Sequence, residues 1–324
     1  METKRPLLSI CIPTFNRAKF LEGSLKCFEE QLQDVDLSEI ELYVSDNCSE
    51  DCTPQIVQSA VRRGLPITYN RNSQNLGADK NFLHCMQWAS GKYVWLLGDD
   101  DLLHPGAVRY ILDLIRNRNY GVVHLSILHS KDCETSEIKF EDPEEFLKKV
   151  SYWITFISST IFRKDAVYKV ASPESFLSTN LLQVPFYIES ALMEKENLFV
   201  KKIVFDNGLD SCGGFAFYNV FVENYLNIWS TFLSRSLIQK KTYESLKETL
   251  YREYLERFNY RLLIRKKDAA FLKTGKGYDV TNAWHVLFRH YWKNGYFYWS
   301  FFKYPYFLLR DVLRKSLRIV REKI

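Results

Sequence analysis

The chain has 324 residues, of which 46% are hydrophobic and 26% charged, a balance that fits a globular protein and excludes wholesale disorder. Its 44 Lys and Arg against 39 Asp and Glu leave a net charge of +5, too mild to imply a nucleic-acid partner.

Strand and helix signals alternate through the first hundred residues. The run "LLSICIP" (7–13) reads as a strand, and apolar residues from Arg17 to Leu32 recur at helical spacing. A second strand, "IELYVSD" (40–46), is followed by the Ser/Asp-capped helix "SEDCTPQIVQSAVRR". "LPITYNRN" (65–72) is a third strand, 77–90 a helix, and "KYVWLL" (92–97) a short apolar strand of the buried kind. The order predicts an α/β fold with a mostly parallel, Rossmann-like sheet flanked by helices, whose ligands bind at the carboxyl ends of the strands.

Beyond residue 101 the reading continues with a helix (106–118) and a strand "GVVHLSIL" (121–128). An acidic stretch "DCETSEIKFEDPEE" (132–145) reads as a surface loop. Then come a strand leading into a helix start (152–164), a short helix (183–195) and a last strand (197–207). From Asn219 only helices are predicted. The expected domains are 1–213, carrying the sheet, and 214–324, a helical domain ending in an aromatic and basic tract.

Polar residues gather at the predicted strand ends: "PTFNR" (13–17), "SDNCSED" (45–51), "NLGADKN" (75–81) and "GDDD" (98–101). Taken together in this order, they resemble glycosyltransferase family 2, the nucleotide-sugar transferases of GT-A fold. Within that family the chain looks most similar to the branch of the abequosyltransferases of O-antigen assembly. The resemblance implies a metal-dependent transferase acting in bacterial surface-glycan (O-antigen or capsule) synthesis. Its donor would be a CDP-, UDP-, GDP- or dTDP-linked sugar, and its acceptor a hydroxyl of a saccharide, commonly lipid-linked.

The same resemblance assigns roles. Pro13, Thr14, Asn16 and Arg17 would line the nucleotide, with Asp46 accepting from the base and Asn47 and Ser49 orienting it. Asn75 and Gly77 would make a tight turn that points Lys80 and Asn81 at the donor. The usual D-x-D-D departs here, because Gly98 replaces the first acid. Asp100 and Asp101 are then the expected ligands of Mn²⁺ or Mg²⁺, hard ions suited to carboxylate and diphosphate oxygens. Asp99 would take over the ribose contact, and Asp101 is also counted as catalytic. Glu189 is the expected general base, with Asp165 and Gln183 as rivals, although a neutral Gln positions a hydroxyl without deprotonating it. His104 is a further candidate for phosphate or metal.

Seven scattered cysteines (11, 27, 48, 52, 85, 133, 212) offer no second pair at zinc spacing beside Cys48 and Cys52, so reduced thiols in a cytosolic protein are expected. No signal peptide and no spanning apolar run is read. From Arg310 onward Arg310, Arg314, Lys315, Arg318, Arg321 and Lys323 face only Asp311 and Glu322. Bases among aromatics fit a helix lying on an anionic membrane. The expectation is peripheral attachment to the cytoplasmic face of the inner membrane. Two rival readings stay open: a nucleotidyltransferase, which usually has a Gly-rich loop that "PTFNRAKF" lacks, and a degenerate non-catalytic binding partner.

Overall fold

The structure is a computed structural model and describes residues 5–127, 137–206, 208, 215–260 and 279–310. The chain divides into two compact units, Met1–Gly208 with Ser234–Ile238, and Leu209–Leu233 with Gln239–Ile324. The boundary expected at 213/214, Cys133, Cys212 and the basic run from Asp311 lie outside the described residues.

In the first unit β1 (Leu8–Thr14), α1 (Ala18–Gln31), β2 (Ile40–Asp46), α2 (Thr53–Arg62), β3 (Ile67–Arg71), α3 (Ala78–Trp88) and β4 (Tyr93–Leu96) alternate as expected. They are followed by β5 (Leu102–Leu103), α4 (Ala107–Ile115), β6 (Tyr120–Leu125), β7 (Glu137–Phe140) and α5 (Pro143–Val150). The unit is completed by β8 (Thr160–Arg163), α6 (Gln183–Met193), β9 (Glu196–Val200) and β10 (Phe205–Asp206). One eight-stranded sheet runs in the order β3-β2-β1-β4-β8-β6-β9-β7. β1 is parallel to β2 and β4, β2 to β3, and β6 to β9. β8 lies antiparallel between β4 and β6, and β7 antiparallel to β9.

Helices cover the central strands, so every residue of β1 and β4 is buried and the strands read as apolar runs without alternation. α1 buries Leu21, Leu25 and Phe28 at helical spacing. Because β2 flanks β1 on one side and β4 on the other, the chain reverses direction across the sheet there. That leaves a crevice at the carboxyl ends of β1 and β4.

Three local expectations are corrected. The acidic stretch is not all loop: residues 137–140 form β7, whose exposed and half-buried positions alternate, and Asp142 caps α5 by accepting from the Glu144 and Glu145 amides. Edge placement permits that charge density, since one face and one side of β7 meet solvent. The strand expected over 152–164 shrinks to β8, preceded by 3₁₀ turns at Ser151–Thr155 and Ile157–Ser159. The last strand splits. β9 ends at Val200, and β10 pairs antiparallel with β5.

The second unit is helical as expected, with π-helical turns Asn219–Asn224 and Leu250–Leu255 among α7 (Tyr225–Ser234), α8 (Lys240–Thr249), α9 (Glu256–Asn259), α10 (Ala283–Tyr291) and α11 (Gly295–Phe302). Residues 304–310 are helical too. Tyr291, Phe297 and Tyr304 pack inward, the first two against Tyr251 at 4.8 and 5.6 Å between ring centroids. Among the described residues no helix is long and apolar enough to cross a membrane.

His124 on β6 is fully enclosed, stacked on Phe199 at 5.5 Å and 3.3 Å from the Thr160 hydroxyl. Burial pushes its pKa down to about 3. The unfolded chain therefore binds a proton near pH 6.5 that the folded chain refuses, and this contribution to stability falls as the pH drops below that point. Between pH 7 and 5, wild type should lose about 2 kcal/mol relative to His124→Phe in paired urea unfolding curves. An equal response of the two proteins to pH would contradict a neutral buried His124.

Candidate functional site

Three consecutive acids follow β4, the first two sharing Arg17 and the third turned to Ser158 and Gly208. Asp99 Oδ2 accepts from the Thr14 hydroxyl at 2.7 Å, and its Oδ1 accepts from Arg17 Nε at 2.7 Å. Asp100 Oδ2 lies 2.8 Å from Arg17 Nη2. Asp101 accepts from the Ser158 hydroxyl at Oδ2 and from the Gly208 amide, 3.1 Å away, at Oδ1. The turn is closed by the Asp101 amide on the Gly98 carbonyl at 3.2 Å, and the Gly98 amide donates to Ser158 Oγ at 2.8 Å. Burial raises the Asp99 carboxyl to about 6 against the opposing pull of Arg17. Burial also raises Asp101 to about 7, opposed first by the Ser158 hydroxyl. Mutual repulsion is thus relieved by one guanidinium and by separate hydrogen bonds.

The ends of β1 and β2 are tied together. Asn16, in the left-handed region at φ 53°, receives Ser49 Oγ as acceptor for its amide and accepts from the Glu50 amide at 2.7 Å. Asp46 is fully buried: Oδ1 accepts from the Ser49 amide at 2.7 Å, Oδ2 from the Tyr69 hydroxyl at 2.6 Å, and Arg71 Nε lies 3.6 Å away. As it stands, Asp46 shapes the pocket through Tyr69 and Ser49 and presents no oxygen to a base. Asn47 is buried in an amide network, donating to Asn75 and accepting from Asn72 and the Leu76 amide. Asn81 extends that network to Ser45 and Asn72, so it too faces inward. Asn75 also accepts from the Gly77 amide at 2.8 Å, and Gly77 sits at φ 82°, which favours glycine. Lys80 is exposed in the first turn of α3, and Pro13 is buried in β1.

The candidate bases are not brought to this turn. Ser190 accepts from the Arg163 amide and donates to the Gly121 carbonyl, and Arg163 pairs with Tyr93, the first residue of β4. The neighbouring Glu189 therefore sits toward the opposite end of β4, about 10 Å of strand from that strand's carboxyl end. It is also the one residue from 183 to 191 that is not buried, and its Oε2 is nonetheless enclosed without a hydrogen-bond partner among the described residues. Burial still raises its carboxyl, opposed by Arg235 and Lys169. Asp165 lies at the same far end, paired with Arg163 at 2.5 Å. Gln183 opens α6, with its amide donating to the Thr155 carbonyl and its Oε1 buried and without a partner among the described residues. His104 places Nε2 3.0 Å from Asp206 and Nδ1 3.2 Å from the Ile203 carbonyl, which makes it structural.

Among the described residues no three His, Cys, Asp or Glu converge as a metal cage. Asp101, 3% exposed and with a partner on each oxygen, presents less of its carboxylate to a cation than Asp100 does. Asp100 alone fits the kind of site in which Mg²⁺ or Mn²⁺ takes one protein carboxylate and completes its shell with water and phosphate oxygens. Sequence reading missed Ser158, Tyr69, Arg71 and Gly208. None of them belongs to a strand-end motif of "GDDD", and only the chain fold brings them near.

Glycine at two positions is a steric demand. A β-carbon on Gly98 would stand 2.6 Å from Asp101 Oδ2, and one on Gly208 would overlap the Asp100 carboxyl. Gly98→Ala and Gly208→Ala should each destabilise by about 1–3 kcal/mol in denaturant unfolding. Gly23→Ala in α1, where the new β-carbon meets only Leu102 at 3.6 Å, should instead be neutral or stabilise by about 0.5–1 kcal/mol. Equal effects at all three positions would refute the packing argument.

Residues 9–171, about half of the chain, match the family described as Glycosyl transferase family 2. Over 134 residues the chain is 43% identical to the abequosyltransferase RfbV of Salmonella typhimurium, covering 41% of this chain and 39% of that protein. Over 122 residues it is 35% identical to the GalNAc(5)-diNAcBac-PP-undecaprenol beta-1,3-glucosyltransferase of Campylobacter jejuni, covering 37% of each. The chain thus spans well under half the length of these curated relatives. The fold is similar to that of S. aureus TarS 1–349 in complex with UDP-GlcNAc, with a TM-score of 0.61 at 17% identity over 80% of this chain and 76% of that one. It is also similar to the mannosyltransferase PcManGT of Pyrobaculum calidifontis in complex with GDP-Man and Mn²⁺, with a TM-score of 0.50 at 17% identity over 81% and 73%. With half of its length matched and the strand-end acids in place, the chain belongs to glycosyl transferase family 2.

Proposed function

We propose that this chain is a metal-dependent glycosyltransferase, moving a sugar from a nucleotide donor to a hydroxyl of a lipid-linked saccharide in bacterial surface-glycan assembly. The observation that carries the reading is the cluster of Thr14, Arg17, Asp99 and Asp100 at the carboxyl ends of β1 and β4, where such sheets bind nucleotides. The relatives' names support the chemistry: an abequosyltransferase, and a glucosyltransferase named for a PP-undecaprenol acceptor. Asp100 is the residue that would hold the ion, and PcManGT was solved with GDP-Man and Mn²⁺. A bound Mn²⁺ or Mg²⁺ supplies positive charge toward a leaving nucleoside diphosphate. Asp99, fixed by Thr14, remains the candidate for the ribose, and exposed Lys80 the candidate for the donor beside the Asn75–Gly77 turn. Glu189 and Asp165 lie away from the turn, so no proton transfer is assigned to them.

The test is a melting-temperature panel of UDP, CDP, GDP and dTDP, each with Mn²⁺, Mg²⁺ or neither, on wild type and Asp100→Asn. One nucleotide at about 100-fold its Kd should stabilise wild type by about 2.7 kcal/mol, only with metal, and the variant far less. No shift with any nucleotide would overturn the reading.

The same reading places the chain on the cytoplasmic face of a membrane, docked by the aromatic tract. Trp292, Tyr298, Trp299, Phe302, Tyr306 and Leu309 are exposed. Residues 283–310 contain Arg289, Lys293, Lys303 and Arg310 and no acid. Arg289 and Lys303 already pair with Glu223 and Glu256, while Lys293 and Arg310 lie over aromatic rings. The basic run that follows adds charge complementary to anionic lipid, worth about 1 kcal/mol per base near the surface. The chain should co-sediment with phosphatidylglycerol vesicles and not with phosphatidylcholine ones, and Trp299→Ala with Phe302→Ala should weaken that binding about tenfold or more. Self-association of the wild type, abolished by the same pair of changes and indifferent to vesicles, would assign the face to a second copy instead.

A further inference from the structure

Arg17 stands where the charges of the acid turn meet. Nε donates to Asp99 at 2.7 Å, Nη2 faces Asp100 Oδ2 at 2.8 Å, and the guanidinium lies over the Phe20 ring, 4.4 Å from its centroid. Its side chain is 24% exposed, so part of it meets solvent. A guanidinium carries five donors, of which these two carboxylates take only part. Asp99 has a second hold from the Thr14 hydroxyl, whereas Arg17 covers Oδ2 of the Asp100 carboxylate, the group proposed to hold an ion. Two cations sharing that edge would stand a few ångströms apart and repel strongly in a half-buried site.

We propose, resting on the transferase reading, that Arg17 and a divalent cation are alternative partners of Asp100, and that Arg17 passes from Asp100 to the donor's diphosphate as the ion takes its place. Arg17 keeps Asp99 through Nε and changes the partner of Nη2. It is a positioning residue with two opposite effects. Against metal alone it competes; toward metal with diphosphate it assists, because its positive charge then meets phosphate oxygens in the fork geometry suited to it. A lysine would hold one acid as a point charge and would reproduce neither the double grip nor the fork.

The experiment measures Mn²⁺ binding to the full chain by electron paramagnetic resonance, with and without inorganic pyrophosphate, on wild type, Arg17→Gln, Arg17→Lys and Asp100→Asn. If Arg17 covers Asp100 for about nine-tenths of the time, Arg17→Gln should bind Mn²⁺ alone about tenfold more tightly. With pyrophosphate the order should reverse: wild type gains affinity and Arg17→Gln gains about tenfold less. A structural lesion would weaken both conditions in the same direction. Should Arg17→Gln fail to fold, Arg17→Lys carries the same comparison with a smaller gain for Mn²⁺ alone. If removing the guanidinium leaves Mn²⁺ affinity unchanged or weaker while wild type still binds Mn²⁺ with pyrophosphate, the exchange is wrong and the transferase reading stands. If no protein binds Mn²⁺ in a way that Asp100→Asn abolishes, both fall together.

Discussion

Negative charge buried at the end of β4 sets the terms for the first unit. Asp99 is 5% exposed and Asp101 3%. Stripping a carboxylate of water costs several kcal/mol unless partners replace that water. Those partners come from separated parts of the chain: Thr14 and Arg17 at the end of β1, Ser158 ahead of β8, and Gly208 beyond β10. The turn is therefore a node. The antiparallel insertion of β8 between β4 and β6 has a function in this light, since it carries Ser158 to the place where the turn needs a hydroxyl. The Trp95 indole donating to the Ser158 carbonyl at 2.8 Å pins that placement from the other side.

Around the acids the site changes character. The ends of β2 and β3 meet in a ring of neutral amides, Asn47, Asn72, Asn75 and Asn81, each bonded to at least one other. The buried acid that ends β2, Asp46, accepts from the Tyr69 hydroxyl. Such a network is rigid when its polar groups are satisfied. One side of the crevice is thus preset by neutral amides, with Asp46 and Arg71 paired beside them. The other holds two carboxylates, Asp99 and Asp100, under one guanidinium.

Much of this was legible in the sequence, and the reason is local. Continuous apolar runs mark strands covered on both faces, and the polar residues that follow each run mark the strand ends; that is why β1 to β4 and the motifs at Thr14, Asp46, Asn75 and Asp99 were found. What failed depended on neighbours distant in the chain. The period-two pattern of β7 was hidden by its charges, and only the β9 edge makes it a strand. Glu189 has the right spacing from the acids in sequence, yet the register of β8 and the grip of Ser190 turn α6 so that it lies at the wrong end. Ser158 and Gly208 reach Asp101 across 57 and 107 residues, a separation that no local pattern reports.

The departure at Gly98 can be traced to the same packing. The resemblance puts an acid at this position, and its loss implies a ribose contact that Asp99 would inherit. The Asp101 carboxylate folds back against the Gly98 α-carbon, leaving no room for a side chain. An acid at 98 and this pose of Asp101 exclude one another. Asp99 is in turn held on one oxygen by Thr14 and on the other by Arg17. A carboxylate has about four acceptor sites, so two remain for a hydroxyl. On the proposed transferase reading, Asp99 would reach a ribose only through its slight exposure, at the acceptor sites that Thr14 and Arg17 leave.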